Sequence, residues 1–229
     1  MSLSIFDLDN TLIAGDSDYL WGQFLVDRGV VDRARYEQAN QQFYEDYKNG
    51  SLDMESYLEF ALRPLAENDT QALNSLRSQF MEACICPILL EAAKQLIERH
   101  RTAGDTLLVI TATNRFVTEP IAELYGIENL LATTPEIVDG RYTGRLAGIP
   151  CFQEGKVKRL EQWLELTGNT LEESWFYSDS HNDLPLLQRV DHPVVVDPDN
   201  ILEAFAEKAG WPVISLRNGS SPSPRHFIK

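Results

Sequence analysis

Hydrophobic and polar positions along the chain alternate between two kinds of segment. Short β-rich, largely apolar runs occur at Leu3-Ser4-Ile5-Phe6, Thr106-Leu107-Leu108-Val109-Ile110, Trp175-Phe176-Tyr177 and Pro193-Val194-Val195-Val196. Helical periodicity fills the stretches between them: Ile88 to Arg101 stops at Gly104, and Lys156 to Leu166 stops at Gly168. A short helix follows Asp183 with Pro185 near its start, and Asn200 is expected to cap a last one. Strands alternating with helices predict a parallel sheet covered on both faces, and apolar runs are what such doubly buried strands require. The runs end at Asp7, Thr111, Ser178-Asp179 and Asp197. Ligands of open parallel sheets bind beyond the carboxyl ends of the strands, so three of these ends are expected to share one site.

The interval from Asp16 to Cys84 is far longer than a simple crossover needs. Its pattern predicts helices at about Tyr19–Arg28, Arg33–Lys48, Met54–Leu65 and Gln71–Ala83. The expected architecture is therefore α/β, a Rossmann-like parallel core formed by residues 1–15 and 85–216. An all-helical cap, 16–84, is inserted between the first and second motif strands, and a loose tail, 217–229, follows the core. Asp139-Gly140 within Asp139–Gly144 is the signal of a tight hairpin.

Charge narrows the partners. With 20 Lys+Arg against 35 Asp+Glu, the 229-residue chain carries a net charge of −15. A field of that sign repels nucleic acid and anionic membranes, so neither is an expected partner. It also repels anionic substrates, so a phosphate-binding site would need a metal ion or a local Lys to reverse the sign. Three cysteines do not suggest a disulfide framework and fit a reducing compartment. Cys84 and Cys86 lack a second pair or a nearby His and are expected to be buried thiols. Met1 runs directly into an apolar strand and no apolar run approaches membrane-spanning length, so a cytoplasmic location is expected. His100 and His192 read as ordinary surface or turn residues, and His181 as a loop residue beside the site.

Four fragments carry chemistry. Asp7 and Asp9 leave a buried strand two residues apart, and the repulsion between two such acids is eased by a divalent cation. Asp179-Ser180-His181-Asn182-Asp183 supplies a second acid pair after another apolar strand. Hard oxygen ligands without thiols favour Mg²⁺ over zinc. Thr111, followed by Ala112, is a hydroxyl at a strand end, and Lys156 opens a helix after Gly155. Alone, each has a bland alternative: an acidic turn, an N-cap or a surface lysine.

Together and in this order, Asp7-Leu8-Asp9-Asn10-Thr11, Thr111, Lys156 and Asp179…Asp183 resemble the four motifs of the haloacid dehalogenase-like hydrolases. The insert and the hairpin resemble the phosphoserine phosphatase-like branch. The resemblance implies a Mg²⁺-dependent phosphomonoesterase acting on a small phosphorylated metabolite. Asp7 would be the nucleophile that forms an aspartyl-phosphate, and Asp9 the acid/base of both half-reactions. Thr111 and Lys156 would hold the phosphoryl oxygens, with Ala112 and Asn182 beside the substrate. Asp7, Asp9 (through its carbonyl) and Asp179 would bind the metal, and Asp183 would support it from the outer shell.

Substrate choice falls to the cap. In the phosphoserine phosphatases an acid soon after the first motif binds the substrate amine, and Asp16 stands at that place. Their cap Arg, which grips the substrate carboxylate, corresponds to Ala61 here, with Arg63 two residues along the helix and turned to another face. An unpaired carboxylate in a closed site is costly. Histidinol phosphate, an amine without a carboxylate, is therefore the expected substrate. The cap aromatics Tyr19, Trp21, Phe24, Phe43, Tyr44, Tyr47, Tyr57 and Phe60 are expected chiefly as the insert's own core, one or two of them free to stack on an imidazole. Phosphoserine hydrolysis, phosphoryl transfer to a second metabolite, a phospho-aspartate signalling module and a catalytically retired scaffold are the alternatives.

Overall fold

Successive side chains of the first strand, β1 (Leu3–Phe6), enter two different cores: Leu3 and Ile5 pack on one face of the sheet, Phe6 on the other. The second strand, β2 (Thr106–Asn114), alternates likewise, with Leu108 and Ile110 on the first face and Leu107 and Val109 on the second. Period-two alternation with both faces apolar is what a buried parallel strand requires. The computed structural model describes residues 2–224. Its main sheet has the order β3-β2-β1-β6-β7-β8-β9, where β3 is Asn129–Thr133, β6 Trp175–Ser178, β7 His192–Val196, β8 Val213–Ser215 and β9 Ser223–Pro224. Every pairing is parallel except β8–β9. Strand β1 is thus central, flanked by β2 and β6, and the three strand ends that carry motif residues lie side by side.

Between β1 and β2 the chain forms α1 (Ser17–Asp27), α2 (Arg33–Lys48), α3 (Met54–Glu67) and α4 (Thr70–Phe80). Each begins at an aspartate, Asp16, Asp32, Asp53 or Asp69, whose carboxylate accepts backbone N–H groups of the first turn. Such caps stabilise a helix by about 1 kcal/mol each. The helices do not enclose a separate core. Trp21, Phe24, Leu62 and Phe80 are continuous with Phe6 and Tyr177 of the sheet and with Phe116 of the helix that follows β2. A π-helical turn, Met81–Ile85, and a 3-10 turn, Cys86–Ile88, then lead into α5 (Glu91–Ala103).

After β2 come α6 (Arg115–Leu124), β3 and a hairpin of β4 (Pro135–Val138) and β5 (Arg141–Leu146). The hairpin turns at Asp139 (φ 51°) and Gly140 (φ 76°), the two left-handed residues of its Asp-Gly signal. It packs against α3. Helices α7 (Glu154–Thr167), α8 (Leu184–Leu187) and α9 (Asn200–Ala209) complete the layers.

Several expectations are corrected. Asp199, not Asn200, caps α9. Strands β3 and β8 fall where no run was expected. Residues 217–224 are not loose: Ser223 and Pro224 pair back onto β8, and Arg217 Nη2 donates to the Asn10 carbonyl at 3.0 Å. The Asn218-Gly219-Ser220-Ser221 turn makes that return possible, and 225–229 lie outside the described residues. Cys86 is exposed and Cys84 half-buried, because the irregular turns at 81–88 present the pair outward; Cys151 alone is buried. His100 is buried, its ring held by Ser4, Asp105 and the Tyr177 hydroxyl, each at 2.7 Å. A polar ring in a core survives because every nitrogen is satisfied.

Candidate active site

Asp7 is the first residue beyond β1, and its N–H donates to the Tyr177 carbonyl at 2.9 Å. That bond fixes the angle at which the chain leaves the sheet. Lys156, 2% exposed, reaches Asp7 Oδ1 at 2.7 Å and Asp183 Oδ1 at 2.7 Å. Its position depends on a close approach at the start of α7. A Cβ on Gly155 would stand 2.1 Å from the Pro150 carbonyl oxygen, and the chain enters through Gln153 at φ 46°. Only glycine at 155 lets the helix begin there. Ser178 Oγ donates to Asp183 Oδ2 at 2.7 Å, so both Asp183 oxygens are engaged by the protein.

Asp9 is held separately. Its Oδ1 accepts from Ser17 N at 2.6 Å, and its Oδ2 from Thr113 Oγ1 at 2.8 Å and Thr111 Oγ1 at 3.3 Å. Both threonines lie at the end of β2, where its pairing with β3 shifts register between Thr111 and Asn114, and both reach Asp9. Thr113 gave no signal in the sequence beyond its i, i+2 relation to Thr111, which puts both side chains on one face of a strand. Asp179 Oδ1 accepts from Thr11 Oγ1 at 3.0 Å, and Asp7 Oδ2 lies 3.4 Å from the same hydroxyl. One hydroxyl proton cannot serve two carboxylates.

Electrostatics follow from that crowding. Burial, with Asp183 and Asp9 nearby, pushes Asp7 up to about 7 against the pull of Lys156. Burial opposes the charge on Lys156, but the Asp183 and Asp7 carboxylates more than offset this and raise its pKa. Burial and the Asp7 and Asp183 charges hold Asp179 well above the carboxylate range. The cluster is short of positive charge between Asp7 and Asp179. Among the described residues no three acidic, His or Cys side chains are already gathered as metal ligands. Two carboxylates sharing one hydroxyl proton nevertheless match a small hard cation that takes oxygen ligands.

Beside Asp7 and Asp9 opens a cavity. Asp16 and Asp18, from the start of α1, line it with Ala112 and Thr111. Much of the remaining lining is aromatic: Tyr19, Phe43, Tyr44, Tyr47 and Tyr57. Of the other cap aromatics, Trp21 and Phe24 stack at 5.8 Å beside Phe80 in the core the insert shares with the sheet and not in one of its own, and Phe60 is half-buried beside Tyr36 and Phe43. No Lys or Arg among the described residues lines the cavity. Ala61 is buried inside α3, and Arg63 faces solvent beside Glu67. Burial and Asp9 push Asp16 up to about 7, and burial with Asp16 and Asp9 holds Asp18 well above the usual range. Asp18 escaped the sequence reading because a helix N-terminus commonly carries an acid for capping alone. Asn182 does not face the cavity. Its Nδ2 donates to the Tyr47 carbonyl at 3.0 Å, and its Oδ1 accepts from Gln153 Nε2 at 2.9 Å. His181 sits behind the site, its Nδ1 2.9 Å from Asp199.

A parallel α/β sheet presenting this carboxylate and lysine cluster at adjacent strand ends defines a phosphoric monoester hydrolase. The chain belongs to the haloacid dehalogenase-like hydrolase family, whose profile matches residues 5–188. It is 46% identical to a histidinol-phosphatase of Neisseria meningitidis serogroup C (strain 8013), over 94% of this chain and 99% of that one. It is 30% identical to phosphoserine phosphatase SerB1 of Mycobacterium tuberculosis, over 93% of this chain and 70% of that protein. Among solved structures, a protein of unknown function from Bordetella pertussis Tohama I is 44% identical and superposes with a TM-score of 0.89, covering 94% of this chain and 98% of that one. A substrate-bound phosphoserine phosphatase, 19% identical with a TM-score of 0.67 over 89% of each chain, shares the fold. Among the described residues no helix is long and apolar enough to cross a membrane.

Proposed function

We propose that the chain hydrolyses histidinol phosphate through an aspartyl-phosphate on Asp7. The observation that carries the substrate is the cavity lining: two carboxylates, Asp16 and Asp18, together with a set of aromatic rings and no Lys or Arg. A cationic amine suits the acids, and an imidazole suits the rings. A substrate carboxylate would meet acids and no cation, at a cost of several kcal/mol. The relative from Neisseria meningitidis, by its name, acts on this ester.

In the first half-reaction an Asp7 carboxylate oxygen attacks phosphorus, the bond to the alcohol oxygen breaks, and the Asp9 carboxyl gives that oxygen its proton. In the second, Asp9 takes a proton from water, the water oxygen attacks phosphorus, and the bond to Asp7 breaks with release of phosphate. Ser17 N, Thr111 and Thr113 hold Asp9 in place for both transfers. Lys156 neutralises charge beside Asp7. Asp7, the Asp9 carbonyl and Asp179 would hold Mg²⁺, and Asp183, engaged by Lys156 and Ser178, would support the ligands from behind. When bound, the ion supplies the positive charge that lets a carboxylate approach a phosphate dianion.

The test is phosphate release from histidinol phosphate and phosphoserine, with Mg²⁺ or chelator and with Asp7→Asn as control. A kcat/KM for histidinol phosphate at least about 10²-fold higher is expected, since the unpaired carboxylate penalises phosphoserine. Equal or better turnover of phosphoserine removes the substrate assignment. Activity surviving in Asp7→Asn removes the mechanism.

A further inference from the structure

One face of α2 carries an amide among rings. Asn40, Phe43, Tyr44 and Tyr47 recur at the three- and four-residue spacings that share a side of a helix, and all four line the cavity beside Asp7 and Asp9. Asn40 is only 6% exposed, yet one of its two polar atoms is unengaged. Its Nδ2 donates to the Tyr19 carbonyl of α1 at 3.3 Å. A carbonyl can only accept, so the amide must present its NH₂ on that side and its Oδ1 on the other. Crowding holds the group in place. A Cβ on Gly22 would stand 2.9 Å from Nδ2 and 2.8 Å from the Tyr36 ring, so glycine lets α1 and α2 close on the amide.

The Oδ1 atom has no protein partner among the described residues. Nor is it sealed in the core, since the fully enclosed side-chain polar atoms left without a partner there are Ser17 Oγ and Trp21 Nε1. It therefore opens on the cavity that its residue lines. Water can serve it while the cavity is empty, but a substrate that displaces this water must bring a donor of its own. The neighbouring rings narrow the choice of donor. They engage a flat group by its faces and leave its edge free, so an N–H in the plane of a substrate ring is the donor that suits an acceptor set among them.

We propose that Asn40 is a specificity-determining residue: its Oδ1 accepts the ring N–H of a heteroaromatic alcohol, while Asp16 and Asp18 take the amine. The inference deepens the histidinol phosphate reading and rests on it, since an imidazole carries such an N–H in either protonation state.

The test compares histidinol phosphate with phenylalaninol phosphate, which has the same amine and ester and a ring without an N–H. Wild-type kcat/KM is expected to favour histidinol phosphate by at least about tenfold, because the phenyl ring leaves Oδ1 unpaired. In Asn40→Leu that preference is expected to disappear, through a loss on histidinol phosphate with the phenylalaninol ester unchanged. Asn40→Ser, too short to reach the ring and a smaller disturbance where α1 meets α2, is expected to lose the same preference, so the comparison survives a leucine variant that does not fold. A preference that persists in the folded variants overturns the proposal. So does an equal fall for both esters, which would mark a packing role, or a wild type that treats the two rings alike. The proposed function fails by a different result, phosphoserine matching histidinol phosphate. The two amino-alcohol esters still decide the role of Asn40 in that case, because they differ only in the ring.

Discussion

Asp16 performs two tasks that pull against each other. Its Oδ1 caps α1 by accepting from Asp18 N at 3.0 Å and Tyr19 N at 2.9 Å, while its charge lines a cavity already crowded with acids. Its pKa is pushed up to about 7 from the ordinary 3.8, first by burial and then by Asp9. The folded chain therefore keeps a proton that the unfolded chain releases between those values, so stability falls as pH rises from about 4 to about 7 and stays low above that. Asparagine mimics the protonated form and caps equally well. In chelator, Asp16→Asn is expected to raise the thermal midpoint at pH 8 by about 2–4 °C per kcal/mol relieved, and the gain vanishes near pH 4. A gain of the same size at both pH values would show that Asp16 titrates normally. The cost falls on binding: KM for histidinol phosphate is expected to rise at least about tenfold in Asp16→Asn and in Asp18→Asn, the loss of one charge-assisted contact. KM for p-nitrophenyl phosphate, which has no amine, stays unchanged, and a parallel rise for both esters would place these acids in the phosphoryl site instead. At this scale the sequence exposed residues whose chemistry is dictated next to a strand end, such as Asp7, Asp9 and Asp179. It hid those whose role depends on a neighbour far along the chain. Asp18 looks like any first-turn acid, Tyr47 like any cap aromatic, and Asn182 like part of a motif, until α2 is laid over the 180–182 loop.

Elements show the same division. The strands were legible because doubly buried parallel strands leave unbroken apolar runs, and the helices because their periodicity survives even inside the insert. Strand β3 was not, since Asn129-Leu130-Leu131-Ala132-Thr133 reads as readily as the end of a helix, and β8 spans only three residues. Nor did Gly155-Lys156 reveal its geometry: the glycine reads as a helix opening, whereas the fold uses it to pass the Pro150 carbonyl. Gly155→Ala must displace either that carbonyl or the first turn of α7. A stability loss of about 1–3 kcal/mol is expected from such overpacking, measured by denaturant titration. Because the first turn carries Lys156, kcat is expected to fall by up to about 10²-fold, the effect of moving a reacting group by an ångström. Unchanged kcat in a folded Gly155→Ala protein would mean that α7 tolerates the shift without moving the lysine.

For the whole molecule, charge is the property that sequence and structure share most directly. A net charge of −15 surrounds a site that must admit a phosphate dianion. Inside, Lys156 is the cation that touches Asp7, and it is already shared with Asp183. The approaching ester therefore climbs a repulsive field before any local cation acts on it. An ester whose alcohol carries an ammonium group feels less of that repulsion, because one of the two phosphate charges is cancelled at a distance. Screening separates the two cases. The Debye length shrinks from about 30 Å at 0.01 M salt to about 8 Å at 0.15 M. Raising the salt over that range at fixed Mg²⁺ is expected to increase kcat/KM for p-nitrophenyl phosphate several-fold, since the dianion gains most from screening. For histidinol phosphate the same titration is expected to rise less steeply, since its net charge is smaller and the attraction of its ammonium group to Asp16 and Asp18 is weakened by the same salt. Parallel salt curves for the two esters would mean that the field of the whole chain does not discriminate between them, leaving selectivity to the contacts inside the cavity.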